Sequence, residues 1–320
     1  MFQKRCLRNG IVCFIIAFYI NMSFNTYISL NDCLIVDESI DMRPAKSSMP
    51  SANTRLSKYY KTYRYIPAAP RFDYTPFPAG ECGDGPNFNL WFKQNSKKRS
   101  ANGEDRFIYN TFFKDSYIKN GTYIELGAFD GTIESNSRFF DNCLGWNGLL
   151  IEGNPENYQK VIESRPFANK MSFAPSCNAA YELENKTIEF YRYPMTNVGL
   201  VGHAKTYEGK PTVAVPCGPI SPVIEDIFQE GHVNFFSLDV EGSEANVLAT
   251  IDFKKIHIDV VMIEVQNNHC KIKCEVRDQV RAKMSKEGYK LYKGLVQKSD
   301  IYVHPNSVFQ ISEANVQPDV

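Results

Sequence analysis

The residues of this chain with the most chemistry in them are carboxylates at the ends of apolar runs. Glu125 lies in Tyr123-Ile124-Glu125-Leu126, which leads into the turn Gly127-Ala128-Phe129-Asp130-Gly131 and then Ile133-Glu134-Ser135-Asn136-Ser137. Glu152 closes Leu149-Leu150-Ile151 and is followed by Gly153-Asn154-Pro155. Asp239 and Glu241 close Phe235-Phe236-Ser237-Leu238, and Glu264 closes Val261-Met262-Ile263, with His269 five residues on. An apolar strand that ends in an acid, a glycine turn and a Ser/Asn-rich helix start can hold a nucleoside-bearing ligand, because the helix start offers backbone N–H donors. An acid about 20 residues past the glycine turn, as Glu152 is, stands where it can accept from ribose hydroxyls. Asp239 and Glu241 are two apart and share a face if both are extended. One of them could position a hydroxyl or balance a cation; Glu241 has the alternative of capping the helix that begins at Ser243, so Asp239 carries the stronger functional reading. Glu264 is a candidate base or substrate clamp. His269 titrates near neutral pH and is a further candidate, although a lone histidine is more often structural.

Which cofactor such a turn serves follows from charge. A dinucleotide site wants Gly-x-Gly-x-x-Gly, which is missing, and Asp130 adds negative charge where a pyrophosphate needs donors. A cofactor without phosphates and with a cationic sulfonium, S-adenosylmethionine, tolerates that charge. Ser176-Cys177-Asn178-Ala179-Ala180 could contact its adenine, or could be a plain exit from a strand. Cys270 and Cys274 beside His269 lack a second ligand pair at zinc-finger spacing, so no metal is expected.

These side chains need strands to carry them. Strand-like runs fall at 123–126, 149–152, 172–174, 212–215, 235–240, 260–265, 290–292 and 301–303. Helix-like segments fall at 134–141, 156–164, 222–229, 244–251 and 275–287, with a further helix from about residue 105 leading in. The alternation predicts an α/β fold with a mostly parallel sheet and helices on both faces. An apparent extra hairpin at 187–193, before the run at 212–215, interrupts it.

Composition bounds the rest. The 320 residues carry 36 Lys plus Arg against 36 Asp plus Glu, scattered, so no footprint for nucleic acid is present. Lys4, Arg5 and Arg8 precede the apolar run at 11–20, which weakens toward Leu30. Positive charge before an apolar run keeps the amino terminus cytoplasmic. A cleaved signal peptide is the alternative, but no small-x-small site follows, and an uncleaved anchor is the preferred reading. The predicted organisation is a cytoplasmic tail and signal anchor over 1–31, a Pro/Ser/Tyr-rich stem over 32–86, the catalytic domain over 87–308 and a carboxyl-terminal tail over 309–320. The Tyr-rich part of the stem, 59–65, has two alternatives: packing on the domain, or self-association into a homodimer. The expected location is a Golgi or endoplasmic reticulum membrane, single-pass type II, with the domain in the lumen. Seven cysteines beyond the apolar run and sequons at Asn120 and Asn185 suit that compartment.

Four ordered motifs, Tyr123 to Gly131 with Ser135-Asn136, Gly148 to Pro155, Ser237 to Glu244, and Ile263-Glu264, resemble the FkbM-type methyltransferases over about residues 105–305. The version is most similar to a membrane-anchored animal branch that includes Star-like proteins. Gly153 departs from the residue the family often has before Asn-Pro. The resemblance implies a Rossmann-like seven-strand class I methyltransferase fold and O-methylation with S-adenosylmethionine. It implies a cofactor surrounded by Glu125, Gly127, Ala128, Asp130, Gly131, Asn136, Glu152, Asn154, Asn178, Ala179 and Asp239. The acceptor it implies is a glycan or glycoconjugate hydroxyl; the alternative is a catalytically inactive Star-like trafficking or adaptor protein that keeps the fold.

Overall fold

The computed structural model describes residues 62–71, 79–83, 87–93, 99–115, 118, 120–177, 186–203, 207–265 and 274–311. All of them lie in one unit, Pro50–Val320. The expected anchor lies outside the described residues, among which no helix is long and apolar enough to cross a membrane.

The sheet is built on β1 (Thr122–Leu126), β2 (Asn147–Ile151), β3 (Asn169–Met171), β6 (His232–Leu238), β7 (His257–Glu264), β8 (Lys290–Tyr292) and β9 (Ser299–Val303), and its order is β3-β2-β1-β6-β7-β9-β8. Only β9 runs against its neighbours. The chain reverses direction across the sheet beside β1, so β1 pairs with β2 on one side and β6 on the other. This is the Rossmann-like methyltransferase arrangement, and its switch point opens beyond the carboxyl ends of β1 and β6.

Period two along the strands sorts their side chains into two cores. Ile124, Leu126, Phe236, Leu238, Val261 and Ile263 face one layer, closed by α4 (Ser221–Ile227), α5 (Glu244–Ala249) and α6 (Glu275–Lys286). Tyr123, Leu150, Phe235, Val260 and Met262 face the other, closed by α1 (Glu104–Ile108), the π-turn Tyr109–Phe113, α2 (Arg138–Asn142) and α3 (Pro155–Ser164). Strands buried on both faces read as unbroken apolar runs, which is why these were visible in sequence. The hairpin of β4 (Thr187–Tyr191) and β5 (Thr212–Pro216) forms a separate antiparallel pair with its own small core of Phe190, Val198, Leu200 and Val215.

Several boundaries differ from expectation. The third strand is Asn169–Met171, not 172–174: the N–H of Ser172 donates to the Tyr63 carbonyl and that of Ala174 to the Pro216 carbonyl, so both leave the β2 ladder. Residues 62–71, expected as stem, cover this sheet edge; Ile66 bridges Lys170, and Tyr63 stacks on Phe173 with ring centroids 4.2 Å apart. Covering an open edge removes its unpaired backbone groups from solvent. The disulfide Cys82–Cys143 ties a further stem segment to the domain. At the other terminus Phe309 and Ile311 are buried against the aromatic layer, so packing continues past residue 308. The helix expected at 134–141 begins only at Arg138.

Candidate active site

At the switch point two backbones meet closely. The Gly127 N–H donates to the Ile151 carbonyl at 3.0 Å, and the Asp239 N–H donates to the Leu126 carbonyl at 3.1 Å. Gly127 has φ +90°, and a Cβ there would stand 1.8 Å from the Asp239 carbonyl oxygen. Glycine is required for this approach of strand ends. Beyond it open two adjoining lobes of a cleft, about 550 Å³ and about 420 Å³, which share Leu126, Gly127, Phe129, Thr196 and Asp239. Glu152, Phe173, Phe190 and Leu200 wall the larger lobe; Glu125, Ala128, Asn136 and Ser237 wall the smaller.

Glu152 is fixed by the turn it faces. Its Oε2 accepts from the Phe129 N–H at 2.8 Å and its Oε1 from the Asn154 N–H at 2.7 Å. Burial raises its carboxyl to about 7 despite these bonds. Each oxygen keeps a second lone pair, so the group can still accept from a ligand hydroxyl.

Glu125, in the wall of the smaller lobe, also holds the loop beside it. Its carboxylate accepts from the Ser135 hydroxyl at 2.7 Å, the Asn136 N–H at 2.7 Å and the Ser137 hydroxyl at 2.6 Å. These bonds take the N–H and hydroxyl donors that would have begun a helix, which is why residues 132–137 form a loop. Burial raises the Glu125 carboxyl, opposed by Arg165, whose Nη1 stands 3.8 Å away. Arg165 itself is fully enclosed, with Nε on Asp141 Oδ2 at 2.7 Å, Nη2 on the Tyr123 hydroxyl at 2.7 Å and Nη1 on the Gly131 carbonyl at 3.1 Å. Nothing in its local sequence announced this ion network.

Three predicted residues, Asp130, Gly131 and Asn154, support the site without lining either lobe. Asp130 Oδ1 accepts from the Thr132 and Ile133 N–H groups at 2.8 and 2.7 Å, closing the turn on itself. Gly131, φ +78°, makes room for Ser164 and Arg165; a Cβ there would meet the Ser164 hydroxyl at 2.5 Å. Asn154 is fully buried as the N-cap of α3, accepting from the Glu156 and Asn157 N–H groups. Asn136, which does reach the smaller lobe, donates from Nδ2 to the Ser237 hydroxyl at 3.0 Å.

On the other side of the switch point, carboxylates converge. Asp239, Glu241 and Glu264 bring oxygens within 4.8 Å of one another. Glu241 does not continue the strand: it sits at φ 57°, so the convergence comes from a turn, not from a shared strand face. Glu244, the first residue of α5, holds that turn: its Oε1 accepts from the Val240 and Gly242 N–H groups, each at 3.1 Å. Burial lifts Glu264 to about 10, with the Asp239 and Glu241 charges adding to the rise. Asp239 is raised by burial and hydrogen-bonded to Glu264, so the pair shares a proton. Lys298 Nζ lies 3.9 Å from Glu264. The same three oxygens are close enough to grip a divalent cation, although the bond between Asp239 and Glu264 already settles their repulsion with a proton. Asp239 Oδ1 is enclosed and accepts no hydrogen bond among the described residues.

Asn178, Ala179 and His269 lie outside the described residues. Sequence reasoning missed the apolar wall of the larger lobe, formed by Phe190, Met195, Val198 and Leu200 of the hairpin region and by Val247 of α5. The available signal was the hairpin's interruption of the strand–helix alternation.

Solved methyltransferase structures are distantly similar. A TehB-like SAM-dependent methyltransferase from Corynebacterium glutamicum has 10% identity and a TM-score of 0.36, with 67% of this chain and 92% of that chain covered. A precorrin-6y C5,15-methyltransferase from Geobacter metallireducens has 10% identity and a TM-score of 0.33, with 62% and 85% covered. A SAM dependent methyltransferase from Aquifex aeolicus has 8% identity and a TM-score of 0.30, with 62% and 92% covered. No curated protein matches the chain. The Methyltransferase FkbM domain matches residues 125–291, just over half of the sequence and the span from Glu125 through Glu264 to β8, and the chain belongs to this methyltransferase family.

Proposed function

We propose that the chain is an S-adenosylmethionine-dependent O-methyltransferase of the secretory pathway, with a carbohydrate hydroxyl as its acceptor. The observation that carries the reading is Asp239, which lines both lobes and is hydrogen-bonded behind them to the buried Glu264: a carboxylate in the cleft wall with a second carboxyl beside it is a candidate to take the proton of an acceptor hydroxyl.

The cofactor fits the residues present because Asp239 Oδ1 is a buried acceptor without a partner, and such an atom favours a cationic neighbour. When bound, S-adenosylmethionine supplies an electrophilic methyl group on a cationic sulfur. Glu152 would accept hydrogen bonds from the ribose hydroxyls, and Phe173, Phe190 and Leu200 would give the larger lobe its apolar wall. Glu125 acts at one remove, holding the Asn136 loop against β1. Asp239 takes the acceptor's proton, while Glu264 stays protonated and keeps Asp239 oriented. Positioning supplies most of the rate, as in any transfer between two bound groups.

Support for the compartment comes from the disulfides Cys82–Cys143 and Cys177–Cys217, from Cys274 as a further disulfide half, and from the exposed sequon residue Asn120. Support for a sugar comes from Tyr193 and Met195, which are 45% and 48% exposed on the hairpin side of the cleft and offer an aromatic and a soft apolar surface for sugar C–H faces. The test is transfer of isotopically labelled methyl from S-adenosylmethionine to glycoprotein glycans by the purified full chain, read by mass spectrometry. Binding of the cofactor without transfer to any glycan would favour a trafficking protein that keeps the fold; no binding by folded protein would remove the cofactor reading altogether.

A further inference from the structure

The same two strands that end in the acidic trio begin in a cluster of a different composition. His232 opens β6, His257 opens β7 directly opposite it in the parallel register, and Asp259 follows two residues along β7. The ring Nε2 of His232 lies 2.8 Å from Asp259 Oδ2, and that of His257 lies 3.2 Å from Asp259 Oδ1. The three ligand atoms all fall within 4.8 Å of one another. A third imidazole, His304, lies against His257 with ring centroids 4.0 Å apart, and its backbone N–H donates to the Asp259 carbonyl at 2.9 Å. Three of the five histidines in the chain thus gather around one buried carboxylate.

We infer that His232, His257 and Asp259 form a binding site for a transition-metal ion of the Zn²⁺ class, at the end of the sheet opposite the methyl-transfer cleft.

Donor type, spacing, orientation and access agree on this. Two imidazole nitrogens and one carboxylate oxygen are ordinary zinc ligands, and with bonds of about 2.0–2.2 Å the edges of a tetrahedral site are about 3.3 Å long. The N to O separations of 2.8 and 3.2 Å run to the two different oxygens of Asp259, and one ligand atom from each residue lies within 4.8 Å of the others, so a turn of the two rings toward a common point is what coordination requires. Asp259 is already oriented from behind: Asn234 Nδ2 donates to its Oδ2 at 2.9 Å, and Ser307 adds a further bond. A ligand held by such outer partners keeps its geometry when the ion is absent. The two imidazoles are 47% and 36% exposed, so the ion has an entry path and a water can take the fourth position. Neutralising Asp259 requires one cationic imidazole; two aimed at it, from different strands, exceed that need. Coordination uses the Nε2 lone pair, so the proton each ring now shares with Asp259 moves to Nδ1 or, from a charged ring, is released to solvent.

The experiment is equilibrium dialysis of the untagged full chain, stripped with chelator, against ZnCl₂, with metal per chain counted by mass spectrometry. One Zn²⁺ per chain is expected for the wild type, with the apparent Kd raised in His232→Asn or His257→Asn by more than the roughly 10–100-fold that losing an outer partner of a ligand costs, and binding reduced to background in the double variant. The altered side chains are partly exposed, and circular dichroism checks that each variant is folded. Equal metal uptake by wild type and a folded double variant, or none by either, overturns the site and leaves the imidazoles as hydrogen-bond partners of Asp259. If the double variant does not fold, Co²⁺ titration of the wild type decides: intense tetrahedral visible bands that Zn²⁺ displaces support the site, and weak octahedral absorption or no saturation overturns it.

Discussion

The strand pair β6–β7 carries a reactive cluster at each end, and the two are built from opposite materials. At the carboxyl ends, Asp239, Glu241 and Glu264 crowd negative charge together and relieve it by raising pKa values until a proton is shared. At the amino ends, His232 and His257 surround the single carboxylate Asp259, which the facing His232 holds below the usual carboxylate range against its burial. One end therefore stores a proton, and its unsatisfied Asp239 Oδ1 is available to a ligand. The other end is fully paired in its carboxylate and faces outward through exposed imidazoles. Burial alone does not explain the difference, because Asp259 and Glu264 are both largely enclosed. The partner decides which way a carboxyl shifts.

The sharpest way to break this comparison is Asp239→Asn. If the carboxyl end is the reacting end, loss of the base lowers methyl transfer by about 10²–10⁴-fold while the fold survives. Turnover measured with saturating cofactor, beside a denaturation curve, checks both halves. A loss of less than tenfold would remove Asp239 from proton transfer. Chelator leaves the wild-type rate within twofold when a proton and not a cation joins the acidic trio; a rate abolished by chelator and restored by Mg²⁺ would reassign the trio to a metal.

Glu152→Gln comes next, with an expected 10–100-fold rise in the dissociation constant for S-adenosylmethionine, the scale of losing hydrogen bonds to a charged group. The sign of its pH dependence is fixed. Burial raises the free carboxyl to about 7, and ribose hydroxyls donate more strongly to the ionised form, so binding lowers that value. Wild-type affinity therefore strengthens as pH rises from about 6 to 8, and the glutamine variant is flat. Calorimetric titration across that range reads it.

Glu264→Gln tests the stored proton through stability. The folded carboxyl titrates at about 10 against an ordinary 4.5, so its contribution is full below 4.5 and is lost as pH rises toward 10. A glutamine donates to Asp239 without titrating. The variant should melt above wild type near pH 8–9, and the gap should close toward pH 5. A gap that widens on acidification would reverse the assignment of the proton.

How much of this was legible depended on whether a residue's task is local. The strands β1, β2, β6 and β7 are continuous apolar runs because both faces are buried, and their acidic ends followed from the runs. Glu152 was placed by its distance from the glycine turn, and its side chain does wall the cleft. Glu125, Asp130 and Asn154 were legible as polar residues near the switch point, but sequence could not say that serines, turn amides and a helix start would occupy them. Their partners lie close in sequence, yet the competing partner, a ligand, leaves no trace there. Arg165, the hairpin wall and the His232–His257–Asp259 cluster depend on contacts between distant segments, set only by strand register and helix packing. The edge role of residues 62–71 was hidden for the same reason, since their pairing partner Lys170 is about a hundred residues away.

The smallest effect concerns which end of the sheet faces a glycan. Asn120 is exposed at φ 62° in the turn entering β1, at the same end as the histidine cluster. Its sequon threonine, Thr122, donates from Oγ1 to Asn234 Oδ1 at 3.2 Å, and Asn234 in turn holds Asp259. A glycan there would stand at the opposite end of β1 from the cleft mouth and leave it open. If the domain is luminal, Asn120→Gln removes one glycosidase-sensitive step in gel mobility while cofactor binding changes by less than twofold, because Thr122 keeps its bonds to Asn234. An unchanged mobility in the secretory pathway would mean the turn is not reached by the glycosylation machinery, and would remove this support for a luminal domain. A loss of cofactor binding would show instead that the two ends of the strands are coupled through β1, which nothing in their separate hydrogen-bond networks requires.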